Sequence, residues 1–172
     1  MSALFHGTSY AEPGSFERTL HDAMTSWVAQ RIPQMAKTGA TGFGPAVVFV
    51  VVDRPDPING KPLAAVVFHN HVPGYRSMEV SMASVSPMWA KPSHISTMLR
   101  YVFVTNDCER LQAVVARRGR GPKRTARFLR HLGFKFEGTG RRAFGYDDAL
   151  MYSMLREDAT RWLEGRDDAL AA

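Results

Sequence analysis

The sequence predicts a mixed α/β (α+β) layer fold with one core, in which helices interleave with a mainly antiparallel sheet. Three observations predict it. The chain has 172 residues, 45% hydrophobic and 22% charged, which is ordinary for one soluble globular domain with a sizeable core. Short β-branched runs alternate with segments of helical apolar period. Turn residues separate them, giving the order α, β, β, β, α, β, α, β, β, α.

Residues 1–15 read as a flexible lead-in. From Phe16 to Ile32, Phe16, Leu20, Ala23, Met24, Trp27, Val28 and Ile32 form a helical stripe, ended by Pro33 and "KTGATGFGP". "AVVFVVVD" (46–53) is a buried strand, "RPDPING" a turn and "KPLAAVVFHNHV" the returning strand of an antiparallel hairpin. "YRSMEVSMASVS" (75–86) is a third strand, closed by Pro87. Ser93 caps a helix to about Val104, with Ile95, Met98, Leu99, Val102 and Phe103 on one face. "RLQAVVA" (110–116) is a strand, and Pro122 opens a helix that Gly133 stops. In that helix Thr125, Phe128, Leu129 and Leu132 face inward. "FKFEGTGRRAF" and "ALMYSMLR", joined at "GYDD", make a second hairpin, and a short helix surrounds Trp162 and Leu163. The domain is expected over 16–165, with 166–172 a tail.

Several classes are excluded or disfavoured. Cys108 is the only cysteine, which rules out an intrachain disulfide and a cysteine-based zinc site and fits a reducing cytoplasm. No apolar run approaches the roughly 20 residues that span a bilayer. The first residues lack the basic and apolar regions of a secretory signal. The net charge of +6 is local: residues 117–130 hold seven Lys or Arg and no acid, so the rest of the chain carries −1.

The element order, with "ARFLRHLGFKFEGTGRR" following "RLQAVVA", resembles the GNAT family of acyl-CoA-dependent N-acyltransferases. "MEVSMASVS" resembles its central strand, which splays from its neighbour, and "PMWAKPSHISTMLRYVF" stands where the family has its pyrophosphate loop and helix. "ALMYSMLREDATRWL" is similar to the ends of family members that acetylate protein amines, ribosomal proteins among them, and of GNAT-like chains often encoded by phages. The resemblance covers about residues 16–163. It implies a single-domain GNAT-like fold, with helices on both sheet faces and a central splayed strand pair. It also implies acetyl-CoA as cosubstrate, no metal, and direct acetyl transfer to an amine. Two places depart from the family pattern. The loop "SPMWAKPSH" has no glycine, and Pro122 and Leu129 stand where many members have Asn and the Tyr general acid.

On this resemblance, Ser84, Val85 and Ser86 would hold the pantetheine arm. Lys91 and the free amides of Ser93, His94 and Ile95 would meet the pyrophosphate. Arg118, Arg120, Lys123 and Arg124 would meet the adenosine 3′-phosphate. Glu79 stands where family members with a carboxylate base carry it, and an exposed strand Glu is the alternative. His69 and His71, two apart on a strand, suit a base or proton relay; no third ligand stands by for a metal, and surface histidines are the simpler reading. Tyr152 or Ser153 would donate to the leaving thiolate, against a core Tyr packed between Met151 and Met154. The acceptor is expected to be a protein or peptide amine. The alternatives are an amine on a modified nucleobase, or a non-catalytic module binding nucleic acid or protein. The segment 117–130 offers nucleic acid a salt-dependent, sequence-independent grip. A monomer or homodimer is expected.

Overall fold

The computed structural model describes residues 1–35, 37–118 and 121–164. Seven strands form one sheet in the order β1-β2-β3-β4-β5-β7-β6. They are β1 (Ala3–Thr8), β2 (Ala46–Val52), β3 (Pro62–Val72), β4 (Ser77–Ser84), β5 (Arg110–Ala116), β6 (Lys135–Gly140) and β7 (Ala149–Leu155). The helices are α1 (Phe16–Ala29), α2 (Pro92–Arg100), α3 (Pro122–Leu132) and the short α4 (Thr160–Leu163). Every neighbouring pair is antiparallel except β4–β5, which is parallel.

The uninterrupted apolar run of β2 follows from its position, since all seven residues are buried and both sheet faces are covered. Val48, Val50, Val52, Ala65 and Val67 face α1 and pack with Leu20, Met24, Trp27 and Val28. Val47, Phe49, Val51, Val66, Phe68, Leu111 and Tyr152 face the opposite layer, with Ile95, Met98, Leu99, Ala126 and Leu129 from α2 and α3. Helices thus lie on both faces, as expected.

Three boundaries differ from expectation. Residues 3–8 are a strand and not a loose lead-in: β1 pairs along β2 from Ala3↔Val52 to Thr8↔Val47. Its side chains are mostly half-buried, so no alternation betrayed it. α1 starts at Phe16 as expected, capped by Ser15 accepting from the Arg18 amide at 3.2 Å, but it ends at Ala29, short of Ile32, and Phe16 is 43% exposed and outside the buried stripe. On α2, Lys91 and not Ser93 is the N-cap, because Pro92 takes the first helical position, where its missing N–H costs nothing. That helix ends at Arg100 and runs on as a π turn through Thr105. The expected tail at 166–172 lies outside the described residues.

The sheet opens in its middle. β4 and β5 pair only over Ser77–Val80 and Arg110–Ala113. Beyond that point β4 follows β3 to Ser84, and β5 follows β7 to Ala116. This fork is the expected splayed pair.

Candidate active site

The fork holds an inner cavity of about 350 Å³, lined by Val80, Ser81 and Met82 of β4, Ala113–Ala116 of β5, and Arg31–Gln34 from the chain after α1. It continues into an outer cleft of about 820 Å³, bounded by Met82–Pro87, Trp89, Ala90 and the α3 residues Arg124, Thr125 and Phe128. Arg31, Met82, Gly121 and Thr125 line both parts. A strand that loses its neighbour leaves peptide groups without partners. On β5, Gln34 answers this: its Nε2 donates to the Val114 carbonyl at 3.0 Å. Its Oε1 is buried with no partner among the described residues. On β4, the Val85 amide donates to Leu63 O at 2.9 Å, toward β3. Strand alternation therefore directs the peptide groups of Met82 and Ser84 across the fork. Val85 spends its amide on β3, so only its exposed side chain borders the cleft. Ser86 is half-buried, and its Oγ accepts from the Met88 amide at 3.2 Å.

Ser81 is the first residue on the α1 face of β4 above the paired stretch. His69 Nε2 lies 3.0 Å from Ser81 Oγ, linking the cavity wall to a histidine only 7% exposed. The His69 ring packs against Phe43 at 5.2 Å between centroids. Burial lowers its pKa below 6.5, partly opposed by the Glu79 carboxylate. Glu79 itself sits in the paired part of β4, opposite His69 and Gln112, and accepts from Asn70 Nδ2 at 2.9 Å. It does not line the fork. His71 follows a bulge at Asn70 (φ 49°), so the alternation expected to pair it with His69 does not carry through. Its Nε2 is buried without a partner among the described residues.

The two late-strand hydroxyls are placed differently from expectation. Ser153 Oγ donates to Glu137 Oε1 at 2.5 Å, and Arg110 grips the same carboxylate at 2.7 and 2.5 Å. The Arg110 guanidinium, helped by that hydroxyl, holds Glu137 down at about 2. Ser153 is thus committed to Glu137 and is no donor to a thiolate. Tyr152 lies in the core on the opposite face, its ring 5.4 Å from Phe136, and borders a groove between α3 and β7, not the fork.

The expected phosphate ligands divide. Ser93 is exposed at the α2 N-terminus, and Lys91 is half-buried beside it. The Ile95 amide is spent on Lys91 O at 3.1 Å and its side chain is in the core. The buried His94 ring joins Trp89 O through Nδ1 at 3.1 Å, bracing the loop instead of facing outward. Among the described residues the Ser93 and His94 amides have no partner at this helix start, which leaves them for an anion. Arg124 borders the outer cleft and Arg118 the inner cavity, whereas Lys123 lies on the other side of α3. Arg120 lies outside the described residues.

The basic segment also has acidic partners after all. Arg117 pairs with Asp148 at 3.1 Å and Arg118 with Asp147 at 3.8 Å. Asp147, 4% exposed, accepts from the Arg118 and Asp148 amides, both at 2.8 Å. The "GYDD" turn therefore clamps the chain leaving β5. Asp147→Asn keeps one acceptor oxygen but loses the charge. It should lower stability by about 1–2 kcal/mol, seen in urea unfolding as a lower midpoint at unchanged slope.

Gln34 and Ser81 were missed in the sequence. The signal for Ser81 was present, since it shares a strand face with Glu79. Gln34 sits in an irregular segment and reaches a carbonyl 80 residues away, which no local pattern reports. No group of three or more His, Cys, Asp or Glu placed to hold a metal exists among the described residues. No described helix is long and apolar enough to cross a membrane.

No family model matches the sequence, and no curated protein matches it. Solved structures do. A spermidine N-acetyltransferase chimera from Vibrio cholerae and hSSAT superposes with TM-score 0.61 at 15% identity, over 92% of this chain and 98% of that one. The ribosomal-protein-S5-alanine acetyltransferase of Vibrio fischeri gives 0.53 at 20% identity, over 75% and 70%. A proposed acetyltransferase of T. thermophilus gives 0.56 at 22% identity over 70% of this chain and 66% of its own, so this chain spans just under two thirds of that relative. The fold is that of the GNAT acetyltransferases.

Proposed function

We propose that the protein is an acetyl-CoA-dependent N-acetyltransferase whose acceptor is an amine of a protein or peptide. The observation that carries this is the open fork between β4 and β5, continuous with a cleft that runs to Ala90, two residues before α2, and to the first turn of α3. An extended arm threaded through the fork would meet the peptide groups of Met82 and Ser84. Its phosphates would meet the Ser93 and His94 amides, Lys91 and Arg124. The acceptor nitrogen attacks the thioester carbonyl carbon, the C–S bond breaks and the amine loses a proton. Ser81, on the cavity wall, would take that proton and pass it to His69, 3.0 Å from its Oγ. The departing thiolate is protonated from solvent.

The cavity walls favour one class of amine. Arg31, Arg118 and Arg124 line the cavity and cleft, and among the described residues no carboxylate does. A polycation such as spermidine would meet like charge here, whereas a peptide carrying one reactive amine would not. The S5-alanine acetyltransferase among the matched structures is in keeping with such an acceptor.

The test is calorimetric titration with acetyl-CoA, beside thermal unfolding. Saturation at 100 times Kd should stabilise the fold by about 2.7 kcal/mol. Thr125→Trp, at the junction of cavity and cleft, should abolish binding while the protein stays folded. No heat at millimolar acetyl-CoA, or unchanged affinity in Thr125→Trp, would overturn the assignment.

A further inference from the structure

α3 is a wall between two clefts. One side borders the acyl-transfer cleft through Arg124, Thr125 and Phe128. The other borders a groove of about 560 Å³ against β7, lined by Arg117, Lys123, Arg127 and Arg130 over a floor of Ala126, Leu150 and Tyr152. Lys123, Arg127 and Arg130 stand at i, i+4 and i+7, so helical geometry puts them on one face over about 10 Å. Among the described residues these three make no ion pair, and no acid lines the groove. Arg117, already held by Asp148, closes the end near β5. Concentrating four cations against a single carboxylate, Asp148 on Arg117, is costly unless an anion fills the groove.

A second feature narrows the anion. Phe136 on β6 is 49% exposed, opposite Tyr152 in register, with its ring 5.4 Å from the Tyr152 ring that floors the groove. An exposed aromatic face beside a line of cations is the arrangement that holds single-stranded nucleic acid, with phosphates on the cations and a base on the ring. A duplex keeps its bases stacked and has no free face for Phe136. An acidic peptide has charge for the cations but no planar group for the ring. We infer that the groove between α3 and β7 is a binding site for single-stranded nucleic acid, separate from the acyl-transfer cleft.

The probes are fluorescein-labelled oligothymidine and oligouridine of about 15 nucleotides, titrated by anisotropy across a range of salt. With four phosphate contacts, log affinity should fall against log salt with a slope near −3, at about 0.7 per contact on a single strand. The Lys123→Gln, Arg127→Gln, Arg130→Gln triple variant should flatten the slope by about 2 and keep its acetyl-CoA affinity. Phe136→Ala, checked to be folded by its urea midpoint because the ring packs on Tyr152, should weaken binding roughly 5- to 100-fold with the slope unchanged. Arg124→Gln, on the far side of the wall, should leave oligonucleotide binding as it is. Four outcomes would overturn the inference: no binding at low salt, an unchanged Phe136→Ala, displacement of the oligonucleotide by acetyl-CoA, or equal displacement by polyglutamate of matched charge. None depends on whether the fork transfers acetyl groups.

Discussion

Ser81→Ala is expected to lower kcat for acetyl transfer by about 10²–10⁴-fold while the dissociation constant of acetyl-CoA stays nearly unchanged, the scale of losing a general-base path. The hydroxyl contributes little packing and stands at the cavity wall, so its loss should be felt in turnover and not in folding. His69→Gln should cost a similar factor but also some stability, because the ring is buried against Phe43. The pH profile separates this relay from a Glu79 base. Burial holds the His69 pKa below 6.5, so the ring is neutral near pH 7 and can accept. Turnover should fall as pH drops through that lowered value and be flat above it, and both variants should lose this limb. The Glu79 charge raises the His69 pKa, so Glu79→Gln should shift the limb to lower pH and largely keep the plateau. If Glu79→Gln abolishes the plateau and Ser81→Ala does not, the relay is wrong. The same burial has a stability sign. In the window between the folded pKa and 6.5 the unfolded chain binds the proton and the folded chain does not. His69 therefore costs stability as pH falls through that window and costs nothing above it.

The elements legible in the sequence were those with a local cause. The β2 valine run, the Gly133 stop and the antiparallel hairpin of β2 and β3 each follow from residues next to one another. The fork was legible only through resemblance, because splaying is a relation between two strands some 30 residues apart. The candidate site was half legible. Of the residues the sequence singles out, Ser84 borders the outer cleft and His69 touches the cavity wall only through Ser81. Glu79 was favoured on position alone, yet the register puts it below the fork. Lys123 and Arg124 are adjacent in sequence and were given one ligand. On a helix neighbouring residues point about 100° apart, and here that puts them on opposite sides of a wall. The basic segment looked unpaired because its partners, Asp147 and Asp148, come from a turn some 30 residues later.

Gly7→Ala should be strongly damaging although it lies outside the site, costing about 3 kcal/mol or more. Gly7 is buried in β1 opposite Val48, where the strand passes directly under α1. A Cβ there would lie 2.5 Å from the Glu17 carbonyl oxygen and 2.6 Å from the His21 amide nitrogen. Both are backbone atoms, so no side chain can swing aside, and the helix or the strand must shift. Overpacking usually costs about 1–3 kcal/mol, and a clash with two main-chain groups belongs at or past the top of that range. The displaced helix covers Val48, Val50 and Val67, so its shift opens one of the two core layers. It also leads directly into Arg31 and Gln34, which line the fork. The variant should therefore show a lower urea midpoint and, in the folded fraction, weaker acceptor use as the Gln34 bond to Val114 is strained. Gly74→Ala is the control, since a Cβ there meets nothing within 4 Å, and it should change neither quantity. Equal midpoints for the two variants would mean that β1 does not press on α1 as the register places it.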